Sequence, residues 1–244
     1  MAKLSVVAPF FNEQDVAAHF CVLLEKLASD ILERFDLQLE TVLVDDGSTD
    51  ASARTFANNL TGDWKIVQLS RNFGKEVAIL AGLENATGDL VMLMDADLQH
   101  SADTALEMIA AILSDPGIDV VHAVRADGRT GWKRTQAARL FYRLINISQR
   151  FDIPENSGDF RIMRRPVVDA LVRLRDKRRF NKGLYAWAGF RQRAIPYRPV
   201  ERAGGATKWS RLNLVALSIE GFTSFSVVPL RIVSGIGLLI ALAG

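Results

Sequence analysis

A single cysteine, Cys21, stands among 244 residues. No internal disulfide can staple the chain, and Cys21, set in an apolar run, reads as a small core residue suited to a reducing cytosol. Neither a G-x-G-x-x-G nor a G-x-x-x-x-G-K-[ST] run occurs. That excludes the dinucleotide fingerprint and the P-loop, and leaves phosphate to be handled by metal and arginine. Residues Met1 to Pro9 have no basic start, long apolar stretch or small-residue cleavage site, so no secretory signal is expected there. Internal repeats and low-complexity segments are also missing. A wholly apolar or small run occupies 232–243, but its twelve residues fall short of the ~20 that span a bilayer. With no polar cap or Lys/Arg flank to close it, the run is expected to be the first part of a truncated transmembrane segment.

Nearly half the residues are apolar, ample for one sizeable α/β core. The formal net charge of +2 conceals an asymmetry: residues 1–122 carry 7 Lys+Arg against 20 Asp+Glu, and residues 123–244 carry 23 against 8. A basic half of that size implies an anionic partner, either a phosphorylated ligand or a negative membrane surface. No nucleic-acid module signature accompanies it, so a nucleic-acid partner is not expected.

The first half alternates short apolar strands with helical periodicity. Strands are expected at 4–11, 39–44, 65–69, 90–94 and 118–124, with helices at 15–32, 52–60, 76–84 and 104–113. Such alternation predicts right-handed βαβ units and a mostly parallel sheet. Farther on, amphipathic stretches are expected at 132–150 and 212–225, a polar loop at 152–157, a short strand at 160–163 and a helix at 166–174.

In parallel sheets ligands sit at the carboxyl ends of the strands, and polar residues collect at those points. Pro9-Phe10-Phe11-Asn12-Glu13 ends the first strand, and Asp45-Asp46-Gly47-Ser48-Thr49-Asp50 the second. Arg71 and Asn72 follow the third, and Asp95-Ala96-Asp97 the fourth, which has no polar residue. Two carboxylates two residues apart after a buried strand can hold Mg²⁺ or Mn²⁺ through oxygen, with substrate phosphates completing the shell and Gln99 adding a carbonyl ligand or a hydrogen bond. Asp45 and Asp46 can accept hydrogen bonds from a nucleobase or ribose. Gly47 permits the tight turn, and Ser48 or Thr49 is expected to cap the next helix.

In order, P-F-F-N-E, V-D-D-G-S-T-D, R-N-F-G-K and D-A-D-L-Q-H resemble the family 2 inverting glycosyltransferases of the GT-A fold, over roughly residues 4–100. The resemblance implies an α/β GT-A domain whose nucleotide pocket is lined by Pro9, Asn12, Glu13 and Asp46, with Asp45, Lys75 and Asp95 also on the nucleotide-sugar. Asp95, Asp97 and Gln99 would manage the metal and diphosphate. Later segments, S-G-D-F-R at 157–161, Y-A-W-A-G-F at 185–190 and R-x-x-G-x-x-K-W at 202–209, look like the polyprenyl-phosphate branch related to dolichyl-phosphate mannose synthase. The Q-x-x-R-W of processive synthases is lacking, so one sugar is expected per turnover.

The resemblance implies a GT-A catalytic domain over 1–210, an interface helix over 211–231 and a truncated span from 232. It also implies placement at the inner membrane with the catalytic domain on the cytoplasmic face, and a homo-oligomer. Asp97, Asp159 and Arg125 form the expected catalytic set, Asp159 matching the place of the family's candidate base. Arg129, Arg202 and Lys208 are expected on the acceptor phosphate, where donor diphosphate and lipid phosphate bring two anions together. UDP-glucose is the first expectation for the donor, with GDP-mannose and a UDP-aminoarabinose left open. The rival readings are a glycosyltransferase with a soluble acceptor, a nucleotidyltransferase and a catalytically silent membrane scaffold.

Overall fold

The computed structural model describes residues 2–126, 157–174 and 179–198, together with the single positions Ser234 and Ala241. In chain order the elements are β1 (Ala2–Phe10), α1 (Gln14–Phe35), β2 (Leu37–Asp45), α2 (Ser52–Asn59), β3 (Asp63–Gln68), α3 (Lys75–Asn85) and β4 (Leu90–Leu93). They continue with α4 (Ala102–Ser114), β5 (Val120–Arg125), β6 (Ser157–Arg164), α5 (Arg165–Arg173), α6 (Asn181–Trp187) and β7 (Gln192–Tyr197). Two compact units result. One comprises Met1–Asp127, Asn156–Arg179 and Phe190–Ala206 and carries the sheet; the other comprises Gly128–Glu155, Phe180–Gly189 and Thr207–Gly244 and includes α6.

The described strands form one sheet in the order β3-β2-β1-β4-β6-β5-β7. β1 pairs in parallel with β2 and β4, β2 with β3, and β5 with β7. β6 alone runs the other way, antiparallel to β4 and β5. The mostly parallel sheet expected from the alternating pattern is therefore present. All four residues of β4 are buried, as the absence of polar side chains predicted for a strand covered on both faces. α1 turns Val16, Phe20, Cys21, Leu24, Leu27 and Ile31 toward the core, at the spacing of one helical face. Phe56 of α2 packs tilted on Phe10, ring centroids 4.6 Å apart, and meets Phe20 edge-on at 6.2 Å.

Close approach of α3 to the sheet depends on Gly82, where an added Cβ would lie 2.3 Å from Val7 Cγ1. The glycine lets the helix settle on β1, which brings its first residue, Lys75, over the carboxyl edge.

The later elements differ from the sequence expectation. The strand expected at 160–163 begins at Ser157, so Ser157, expected in the polar loop, and Asp159 both lie in the strand; Gly158 and Asp159 broke the apolar signal without ending it. α6 and β7 were not foreseen; β7 (Gln-Arg-Ala-Ile-Pro-Tyr) carries a proline, which its edge position tolerates. Residues 127–156, the expected helix at 132–150 among them, lie outside the described residues, as do 199–233. Among the described residues no helix is long and apolar enough to cross a membrane.

His122 on β5 lies opposite Arg161 on β6 and is 4% exposed. Burial, with the Arg161 guanidinium second, pushes its pKa down to about 4. The folded protein therefore holds His122 neutral while the unfolded chain protonates near 6.5. Its contribution to stability is intact above pH 6.5 and is lost as pH falls through about 4. Urea unfolding at pH 7 and pH 4 is expected to show an acid penalty smaller by on the order of 2 kcal/mol in His122→Gln than in the unmodified chain.

Candidate functional site

The carboxyl ends of β1, β2 and β4 lie on one edge of the sheet, and the reversed direction of β6 brings its beginning to that same edge. In register, Leu93 of β4 pairs with Arg161 of β6. Two residues beyond on each strand stand Asp95 and Asp159. Between their carboxylates lies the Lys75 ammonium, 2.7 Å from Asp95 Oδ1 and 2.8 Å from Asp159 Oδ2. Burial opposes the charge on Lys75, but Asp159 and then Asp95 more than offset it, so the amine is held above its ordinary value. Lys75 is thus a fixed cation at any working pH.

The second strand end is built on Asp45 and Asp46, both buried. Asp45 Oδ1 accepts the Ser48 N–H at 2.7 Å, closing its own turn. Asp46 accepts the N–H groups of Phe73 (2.8 Å) and Gly74 (3.0 Å), one on each oxygen. The loop before α3 is therefore tied to the end of β2 by a carboxylate taking two backbone donors. Gly47 makes the approach possible: its φ is +71°, and a Cβ there would stand 2.4 Å from the Arg71 carbonyl carbon.

The first strand end is braced to the second. The Asn12 N–H donates to Ser48 Oγ at 3.0 Å, and Asn12 Oδ1 accepts the Thr49 N–H at 2.8 Å, with Asn12 at φ 54°. The Glu13 N–H donates to Ser52 Oγ at 2.7 Å. Pro9 faces β4 one step past the last β1–β4 pair, Val7 with Leu93, so its missing donor leaves no gap in the ladder. Ser48 and Thr49 do not cap α2. That helix begins at Ser52 after Ala51, which makes no side-chain cap; Ser48 is engaged by Asn12, and Asp50 Oδ1 takes the Ser52 N–H at 3.0 Å.

After β4, Asp97 Oδ1 accepts the Gln99 N–H at 3.1 Å, and Leu98 turns the chain with φ 61°. Gln99 Oε1 accepts Arg125 Nη2 at 2.6 Å, and Arg125 Nε lies 3.5 Å from the Tyr197 hydroxyl. The structure thus brings Asp95, Asp97, Gln99, Arg125, Lys75 and Asp159 to one edge, beside Asp45, Asp46, Asn12 and Glu13. Arg129, Arg202 and Lys208 lie outside the described residues. Among the described residues no group of three or more His, Cys, Asp or Glu side chains can hold a metal. Asp95 and Asp97 do fit a hard cation of the Mg²⁺ or Mn²⁺ kind, which binds through one or two carboxylates and fills its shell with substrate phosphate.

Sequence reasoning missed Lys75 as a bridge between two carboxylates, because the pairing depends on the reversed strand. It also passed over His100, Phe160 and Tyr197, which pack beneath the Asp95 loop.

Residues 5–172 match Glycosyl transferase family 2. An uncharacterized glycosyltransferase of Bacillus subtilis (strain 168) is 38% identical over 246 residues, 99% of this chain and 74% of the relative. The prophage bactoprenol glucosyl transferase homolog of Escherichia coli (strain K12) is 38% identical over 242 residues, 98% of this chain and 77% of the relative. The bactoprenol glucosyl transferase of Shigella phage SfX is 37% identical, with the same coverage. Among solved structures, mannosyl-3-phosphoglycerate synthase from Rubrobacter xylanophilus superposes with TM-score 0.60 at 18% identity, covering 92% of this chain and 73% of that one. Glucosyl-3-phosphoglycerate synthase from Mycobacterium tuberculosis, in complex with Mn²⁺, UDP and glucosyl-3-phosphoglycerate, gives 0.57 at 17%, covering 92% and 80%. At such identities these two establish the GT-A-like fold alone.

Replacing Gly47 by alanine drives a methyl into the Arg71 backbone at a positive φ and is expected to cost about 2 kcal/mol or more. Thermal denaturation of Gly47→Ala against the unmodified chain measures it, and an unchanged Tm would refute the close approach.

Proposed function

Because the chain belongs to glycosyl transferase family 2 and is a glycosyltransferase, we propose that it moves one sugar from a nucleotide-sugar, UDP-glucose first, onto a polyprenyl phosphate with inversion. The observation that carries this reading is the edge where Asp46, Asp95, Asp97 and Asp159 meet Lys75 and Arg125. The acceptor is supported by relatives named for bactoprenol at 37–38% identity along nearly the whole chain, and by the basic second half. On this reading the catalytic domain runs over 1–210 and an interface helix over 211–231, with a membrane segment from 232. The site works at the cytoplasmic face of the inner membrane, with anionic headgroups meeting the basic surface.

The donor diphosphate lies over Asp95 and Asp97. Mg²⁺ or Mn²⁺ bound there supplies neutralisation of the charge that builds on the leaving diphosphate. Lys75 and Arg125 add fixed positive charge at the same edge, and because both are already held by partners, little reorganisation accompanies the reaction. Asp46 holds the loop that presents Lys75, and Asn12 and Glu13 hold the first strand end against the second. Arg129, Arg202 and Lys208 receive the acceptor phosphate. A phosphate monoester has a second pKa of ~6, so its oxygen arrives largely ionised and attacks the anomeric carbon without needing a strong base. Asp159 then serves to orient Lys75 and the acceptor.

Incubation with undecaprenyl phosphate, Mn²⁺ and labelled nucleotide-sugars, followed by organic extraction, tests the reaction. Label is expected in the lipid phase from UDP-glucose, falling ~100-fold or more in Asp97→Asn; label from another donor would reassign the sugar, and none from any donor would sink the acceptor. Asp159→Asn separates its two possible roles. Reduced transfer with the pH–rate profile above pH 7 unchanged is expected for an orienting group, whereas a new dependence rising with pH would make it the base.

A further inference from the structure

We propose that His100 is a positioning residue that fixes the spacing between Asp95 and Asp159. Its imidazole is clamped between the Asp95 backbone and the ring of the residue that follows Asp159.

The ring is 6% exposed. Its Nδ1 accepts the Asp95 N–H at 3.2 Å, so in the neutral ring the proton is on Nε2. One face lies on Phe160, centroids 4.1 Å apart and planes at 15°, and Tyr197 approaches edge-on at 5.8 Å. Leu98, in the left-handed region at φ 61°, turns the chain so that residue 100 reaches back to residue 95. A left-handed leucine is costly and points to a contact that holds the turn in place.

A circuit follows. The Asp95 N–H meets His100; His100 packs on Phe160 and Tyr197; the Tyr197 hydroxyl faces Arg125; and Arg125 donates to Gln99, the neighbour of His100. Asp95 and Phe160 belong to adjoining strand ends, paired at Leu93 and Arg161, and the imidazole bridges the Asp95 backbone and the Phe160 ring. Lys75 spans the two carboxylates at 2.7 and 2.8 Å, so the placement of both segments decides whether one ammonium reaches both.

An ordinary core histidine would also be buried and stacked, so the hydrogen bond and the stack must be separated. His100→Asn places an amide oxygen close to where Nδ1 stood and removes the stack. His100→Phe keeps a ring against Phe160 and removes the acceptor. Three readouts apply: hydrogen exchange of the Asp95 amide without metal or substrate, Mn²⁺ binding by calorimetry, and Tm. The Mn²⁺ readout rests on the reading of Asp95 and Asp97 as metal carboxylates; the exchange readout does not. In His100→Phe the Asp95 amide is expected to exchange at least tenfold faster and Mn²⁺ to bind about tenfold more weakly, the range of outer-sphere support. His100→Asn is expected to restore only part of the amide protection, because its oxygen can accept the N–H but no stacked ring holds it in place. Unchanged exchange and Mn²⁺ affinity in a folded His100→Phe would overturn the assignment, whatever its Tm. If that variant does not fold, Phe160→Leu takes its place: loss of Asp95 amide protection with the imidazole intact is expected, and full protection would refute the clamp. Failure of lipid transfer by the unmodified enzyme bears on the acceptor alone and leaves both readouts interpretable.

Discussion

The site depends on one ammonium between two carboxylates. Lys75 comes from the start of a helix, Asp95 from the end of a parallel strand and Asp159 from the beginning of an antiparallel one. Without the ammonium, the two carboxylates would repel each other across a partly desolvated gap. Without the carboxylates, a lysine with much of its side chain enclosed would tend toward neutrality. Each group's charge state is thus underwritten by the others, and each sits where it does because of a separate feature: Gly82 lets α3 approach, β4 is buried on both faces, and β6 runs in reverse.

A second charged network marks the opposite edge. Glu40 is 1% exposed, yet its carboxylate meets Ser5, the Thr87 N–H at 2.8 Å and hydroxyl at 2.8 Å, and Lys65 at 2.9 Å. Burial opposes ionisation there, but the Ser5, Thr87 and Lys65 contacts prevail and bring the Glu40 pKa down to about 2. The network joins the amino-terminal halves of β1, β2 and β3 to the turn before β4. A charge placed there stabilises the sheet without touching the reactive edge, where charge is kept for the substrate.

Much of the fold was legible because the alternating half obeys local rules. The apolar runs of β1, β2 and β4 and the one-sided face of α1 each carry their own periodicity, and their ends collect Asn12, Asp45, Asp46, Asp95 and Asp97 wherever a parallel sheet places its ligands. The rest was hidden for physical reasons. Asp159 lies in a strand whose first residue, Ser157, read as the end of a loop and whose Gly158 and Asp159 carry no apolar signal, and strand direction leaves no trace in composition. His100 reads as one polar residue after a motif; its function as a spacer needs Phe160 from 60 residues along the chain, and a stacked ring at 4.1 Å is a tertiary fact. β7 was not foreseen; it carries a proline, which its edge position tolerates.

The adjacent pair Asp45-Asp46 shows how one pattern served two ends. Two neighbouring carboxylates suggested a nucleotide contact, since without donors they would repel. The protein itself supplies donors to both: the Ser48 N–H to Asp45, and the Phe73 and Gly74 N–H groups to Asp46. Asp45 closes the turn that Gly47 makes, and Asp46 holds the loop that delivers Lys75. A carboxylate oxygen can accept more than one hydrogen bond, so bracing does not remove either residue from the donor. It does mean that Asp46→Ala would release the Lys75 loop as well as any nucleotide contact. A lost activity in that variant therefore identifies a ligand only when the Lys75 bridge is shown to survive.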